Sequence, residues 1–392
     1  WGGLALRRCG VGGAGGDRHG ASVSGVHGQW VDGTDSSSIT RELGRHRELD
    51  GLRGLAILGV LGTHVVFLDH GDPTWSLRGG FLGVDVFLVL SGFLIGGILI
   101  REAADSGTID GSRFARRRAT RLLPPLLALV VIQASVSIAL GSGWVEQARQ
   151  IVLSLTFTAN WQMSFGHQPP LEVLHLWSLS LEVQFYVLAA LGVWALSRHL
   201  DRPRSLVIGL CAAAVAVACW RWFLYEGGTA PGALYERTDT RLDSLLLGIA
   251  GVVVWRSRLL GDAVLRVAGI VGLAALAACW WFVEPTDAWL YRGGFTLIAL
   301  ASVAAVMAAT TGGGVVAWLA DRRWLRWVGG ISFSLYLWHL PIYVWTVRIW
   351  PAVPLWAAAL IAVPASFAAA MVSFRYVESR ALAPWRGGRG SS

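Results

Sequence analysis

From Leu49 onward the sequence returns repeatedly to apolar runs of about twenty residues, and this repetition constrains the fold more than any other feature. A run of that length crosses a bilayer as a helix, and only helices and closed barrels satisfy all their backbone hydrogen bonds there. We place about ten spans, at 49–69, 80–100, 122–140, 174–197, 204–225, 241–256, 262–283, 289–310, 330–348 and 353–374. The apolar stretch 149–161 is too short to cross and is expected to lie at the interface or partly inserted. With 54% hydrophobic and only 15% charged residues, the composition excludes an ordinary soluble domain. The fold class is therefore all-α, a polytopic transmembrane helical bundle.

Every basic residue outside the histidines is arginine, and the arginines alternate between loops. Arg41, Arg45 and Arg47 precede the first run, Arg113 to Arg121 follow the second, and Arg198, Arg202 and Arg204 follow the fourth; later clusters keep the alternation. Arginine enrichment marks cytoplasmic loops, so both termini are expected in the cytoplasm and the chain in the cytoplasmic (inner) membrane as a multi-pass protein. The net charge of +8 is thus topological, and no nucleic-acid signature accompanies it. Cys9, Cys211, Cys219 and Cys279 show no paired spacing, so neither a disulfide nor a metal site is expected. Residues 1–45, rich in Gly, Ser and charge, read as a disordered tail, 46–380 as the membrane domain and 381–392 as a cytoplasmic C-terminal tail.

The first run carries Arg53 near its start and His64 inside it. Eleven steps at about 100° leave roughly 20° beyond three turns, so the two share one helix face, about 16 Å apart along the axis. Charge in hydrocarbon is costly, which suggests that this stripe faces a polar cavity. Arg53 either lines that cavity or reaches the inner-leaflet phosphates. His64 is either hydrogen-bonded between helices or a general base, since imidazole takes a hydroxyl proton near neutral pH.

Asp85 and Ser91 interrupt the second run. Asp85 either orients a histidine or pairs with a cation; Ser91, beside Gly92 and Gly96, marks close helix packing more readily than a nucleophile. The basic stretch SRFARRRATRLLPP is read as a loop that serves topology or grips phosphates, its double proline opening the third span. His175, Ser178 and Glu182 fall on one stripe of the fourth run, where Glu182 points to a polar cavity or to structural pairing. Arg237, Asp239, Arg241 and Asp243 can neutralise one another. His339, between Tyr336 and Pro341, either lines the cavity of His64 or packs beside a proline kink.

Taken in order, ELDGLRGLAILGVLGTHVV, GVDVFLVLSGFLI, FARRRATRLLP, HLWSLSLEVQFY, TDTRLDSLLLG and VGGISFSLYLWHLPIY resemble the integral-membrane acyltransferase family 3, the O-antigen acetylase-like acyltransferases, over residues 47–380. The resemblance implies a ten-helix enzyme that moves an acyl group, typically acetyl, from cytosolic acyl-CoA to a hydroxyl of a carbohydrate, glycolipid or macrolide-type acceptor. It implies Arg53 and His64 as the essential pair and Arg117, Arg118 and Arg121 as contacts to the CoA phosphates. Asp85, Ser91, Glu182 and His339 are expected to line the site, and no metal is called for. Ser379 stands where many members have proline, and the extracytoplasmic esterase-like domain fused to some members is expected to be absent. The rival reading is a transporter or flippase built from the same helices without bond-making chemistry, although the sequence shows no inverted repeat.

Overall fold

The computed structural model describes residues 46–68, 77–196 and 202–383. The expected N-terminal tail, Cys9 and most of the expected C-terminal tail lie outside the described residues. Among those residues there are helices and connecting turns but no strand. The principal helices are α1 (Arg47–His64), α2 (Gly83–Ser106), α3 (Gly111–Ala139), α4 (Trp144–Leu155), α5 (Ala159–Ser164), α6 (Leu176–Leu196), α7 (Pro203–Glu226) and α8 (Pro231–Glu236). They are followed by α9 (Leu242–Arg256), α10 (Asp262–Phe282), α11 (Phe295–Ala309), α12 (Val315–Ala320), α13 (Arg323–Gly330), α14 (Ser332–Ile349) and α15 (Leu355–Ser373).

Within the described residues each expected span falls largely on helix, yet only 8 of the helical segments among them are long and apolar enough by themselves to cross a membrane. The two that fall short are α9, with 15 residues, and α14, which carries His339, Pro341 and Arg348. Both are interior helices with most of their side chains buried. A helix that other helices shield from lipid needs neither full length nor full apolarity. The short stretch expected at 149–161 divides into α4 and α5.

Around an apolar core, many large apolar side chains also face outward, and several charged ones are buried. Leu127 and Val131 on α3, Phe223 on α7, Val267 and Phe282 on α10 and Leu360 on α15 are exposed, whereas Asp85, Arg221, Arg241, Asp243 and His339 are buried. On α4 the polar Gln147, Gln150 and Ser154 face inward while Val145 and Val152 face out. Apolar surroundings favour this arrangement, because unpaired polar groups find no water there.

Two glycine contacts set the helix spacing that matters for the site. A Cβ on Gly92 of α2 would stand 2.2 Å from the Leu245 carbonyl oxygen of α9, and one on Gly54 of α1 would stand 2.2 Å from the Leu325 carbonyl oxygen of α13. The backbones therefore touch directly, as small residues permit in membrane helices.

The double proline does not open a span. Pro124 and Pro125 lie inside α3, which begins at Gly111 and is capped by Asp110, whose carboxylate accepts the Arg113 amide at 2.9 Å. That bond and a second from the Ser112 hydroxyl hold the Asp110 carboxyl below its ordinary range. The basic stretch expected as a loop is consequently the first turns of a 29-residue helix. Sequence rules favour a boundary at proline because it removes one intrahelical bond; tertiary packing keeps the helix going here.

Candidate active site

Helices α1, α2, α3, α6 and α14 enclose a cavity of about 460 Å³. Its charged wall includes Arg53 from α1, Arg101 from α2 and Arg117, Arg118 and Arg121 from α3. On a helix, Arg117 and Arg121 stand four positions apart and Arg118 and Arg121 three, so the three converge on neighbouring faces. Arg118 lies 5.6 Å from the Phe114 ring and 5.5 Å from the Tyr186 ring, which orient its guanidinium. Arg53 donates to Asp50 at 3.1 Å.

The lining beside these arginines is polar and acidic. Glu182 accepts hydrogen bonds from Ser91 and from the Tyr186 hydroxyl, and both Ser91 and Glu182 line the cavity. Ser91 therefore combines two properties, a hydroxyl on the cavity wall and a neighbour, Gly92, pressed against α9. Ser178 and Tyr336 also line the cavity, their hydroxyls 2.7 Å apart.

His64 does not line this cavity. It ends α1, beyond Tyr336, where its Nδ1 lies 2.8 Å from Nε2 of His339 with the two rings stacked. Nδ1 of His339 faces the Tyr336 carbonyl at 2.7 Å and the Leu335 carbonyl at 3.2 Å. His175 packs edge-on against His339, its own ring buried. Arg53 and His64 thus occupy one helix face but different environments, one in the cavity and one beside a second histidine.

Asp85, expected to line the site, is not among the residues that line this cavity. It is fully buried, accepts a 2.6 Å bond from Arg241 and stands beside Ser244. The loop charges neutralise one another only in part: Arg237 pairs with Asp239, but Arg241 pairs with Asp85, and Asp243 with Arg221 of α7 at 3.0 Å. Arg221, which sequence reasoning did not single out, also bonds Thr240 and Thr296. Its signal is an arginine inside the apolar run AVACWRWFLY, which needs a buried partner. Arg101 escapes notice for the opposite reason: at the end of α2 it resembles an ordinary loop cation.

No group of three or more His, Cys, Asp or Glu side chains that could hold a metal ion occurs among the described residues. The cavity offers guanidinium groups to an anion, and the histidine pair offers a proton acceptor at the other end of α1.

A family model described as an acyltransferase domain matches residues 46–375. The peptidoglycan O-acetyltransferase OatA of Listeria monocytogenes is 31% identical over 350 residues, covering 84% of this chain and 55% of the relative. The O-acetyltransferase OatA of Staphylococcus aureus is 30% identical over 347 residues, covering 84% and 56%. The putative peptidoglycan O-acetyltransferase YrhL of Bacillus subtilis is 30% identical over 318 residues, covering 76% and 48%. The chain spans about half the length of these relatives. No solved structure matches it.

Proposed function

The chain belongs to this acyltransferase family, and from that premise we propose that it is a membrane O-acetyltransferase moving an acetyl group from acetyl-CoA to a hydroxyl of a cell-envelope glycan. The names of its relatives favour a peptidoglycan-type acceptor. One observation carries the donor: Arg53, Arg117, Arg118 and Arg121 converge on a single cavity, and His64 stands further along the helix that bears Arg53.

Guanidinium forks match phosphate oxygens, so the arginine-lined cavity suits the phosphates of CoA. The separation of about 16 Å between Arg53 and His64 suits a donor whose thioester sits at the end of a long, slender arm. Arginine enrichment favours a cavity mouth on the cytosolic side, where CoA is available, and leaves His64 for an acceptor from the opposite side.

His64 takes the proton of the acceptor hydroxyl as that oxygen bonds to the thioester carbonyl carbon. The carbon–sulfur bond then breaks, and the proton passes from His64 to the departing thiolate, giving the ester and free CoA. Arg53 balances the negative charge of the donor. Glu182, held by Ser91 and Tyr186, shapes the cavity wall.

The test is the purified full chain in lipid bilayers with acetyl-CoA and a peptidoglycan oligosaccharide, following thiol release and acetyl gain by mass spectrometry. We expect both, and expect His64→Ala to abolish both. Acetylation of a glycolipid or macrolide instead would redirect the acceptor. Movement of glycan without thiol release would make the protein a carrier.

A further inference from the structure

His64 can act as a base through either ring nitrogen, and its surroundings select one. Nδ1 of His339 faces only carbonyl oxygens, those of Tyr336 at 2.7 Å and Leu335 at 3.2 Å. Carbonyls accept, so that nitrogen carries the proton in the neutral ring. Nε2 of His339 is then a lone pair, 2.8 Å from Nδ1 of His64, which must donate to it. The remaining nitrogen of His64, Nε2, is left with its lone pair free.

The His339 ring is also held in place. It is fully buried, with the rings of His175, Tyr336 and Tyr343 at centroid distances of 5.2, 5.7 and 5.9 Å. The Tyr336 hydroxyl in turn donates to the His175 carbonyl at 2.5 Å and lies 2.7 Å from Ser178. This shelf ties α14 to the start of α6. Reversing the chain of donors would turn an unprotonated Nδ1 toward two carbonyl oxygens, or put an imidazolium among aromatic rings with no bonded carboxylate among the described residues.

We propose that His339 is a positioning residue that fixes the tautomer of His64, so that Nε2 of His64 is the atom that receives the acceptor proton. The assignment rests on the reading of His64 as base, and it adds an orienting partner that spacing along the chain does not reveal. The logic is that of a catalytic imidazole steadied through its second nitrogen, here by a neutral imidazole rather than a carboxylate. As His64 takes the proton, its Nδ1–H bond to His339 becomes charge-assisted and strengthens. That bond is therefore worth more during reaction than before it.

The experiment combines a spectroscopic and a kinetic measurement on the full chain in bilayers. Nitrogen-15 magnetic resonance of histidine-labelled protein, with the His64 signals identified from their loss in His64→Gln, reads which nitrogen is protonated. We expect the proton on Nδ1 of His64; a proton on Nε2 overturns the proposal. In His339→Leu, which cannot accept the bond, kcat falls about 100-fold or more while KM for acetyl-CoA changes by less than about twofold. In His339→Gln, whose side-chain carbonyl can accept from Nδ1, roughly a tenth or more of the wild-type kcat returns. Equal kcat in His339→Leu and wild type overturns the positioning role. Wild-type turnover in His64→Gln overturns the base reading itself, and the resonance measurement separates that failure from a wrong tautomer.

Discussion

Asp85 Oδ1 and Arg241 Nη2 stand 2.6 Å apart with neither side chain exposed, joining the first turn of α2 to the residue preceding α9. This contact gives the carboxylate in the second apolar run its partner, a cation rather than a histidine. The guanidinium also lies 3.8 Å above the Phe295 ring, which links the pair to α11.

Breaking that pair on one side leaves a buried charge without compensation. Asp85→Leu is expected to cost about 3–5 kcal/mol of stability, and the double variant Asp85→Leu with Arg241→Leu to recover most of it. Thermal unfolding in detergent measures the loss. Abolished turnover at unchanged melting temperature would instead give Asp85 a chemical role.

Arg121 lines the cavity without the pair of aromatic rings that flanks Arg118. Removing one charge-assisted contact to a phosphate costs about 1.5–3 kcal/mol. Arg121→Ala should therefore raise KM for acetyl-CoA roughly 10- to 100-fold with kcat largely retained. An unchanged KM would take Arg121 out of the donor site.

Gly92 and Gly192 offer a matched contrast within spanning helices. A Cβ on Gly92 meets the Leu245 carbonyl oxygen at 2.2 Å, whereas one on Gly192 meets nothing within 4 Å. Gly92→Ala is expected to lose about 1–3 kcal/mol through forced separation of α2 and α9. Gly192→Ala should be neutral or stabilising by up to about 1 kcal/mol. Equal melting temperatures for the two variants would contradict the direct backbone contact.

Glu236 lies in α8, outside the spanning helices, with its Oε2 buried and unpartnered. Burial pushes its carboxyl up from an ordinary 4.5 to about 7. The folded state therefore holds this proton more tightly than the unfolded chain, and the stability it contributes is full below 4.5 and lost as pH rises through about 7. Melting temperature should fall across that window in the wild type, and fall less in Glu236→Gln. Parallel curves for the two would remove Glu236 as the cause.

The stripe of Arg53 and His64 is legible in the sequence because helix periodicity alone brings positions eleven apart onto one face. The approach of Arg117, Arg118 and Arg121 to one another follows from spacing in the same way, even though the double proline suggests a loop. Asp85 signals that it needs a partner, but many arginines could serve and nothing in the local pattern selects Arg241.

Length and apolarity of the runs determined that this is a helical membrane protein, because a bilayer leaves a chain few other ways to satisfy its backbone. Local spacing determined which polar groups share a helix face. Tertiary structure decided everything that joins different helices: that Asp85 closes on Arg241, that Glu182 receives Ser91, and that His64 meets His339, 275 positions away. The reason is physical. Periodicity governs which residues share a face of one helix, whereas contacts between helices depend on crossing and register, set here by glycines such as Gly54 and Gly92 that let backbones touch.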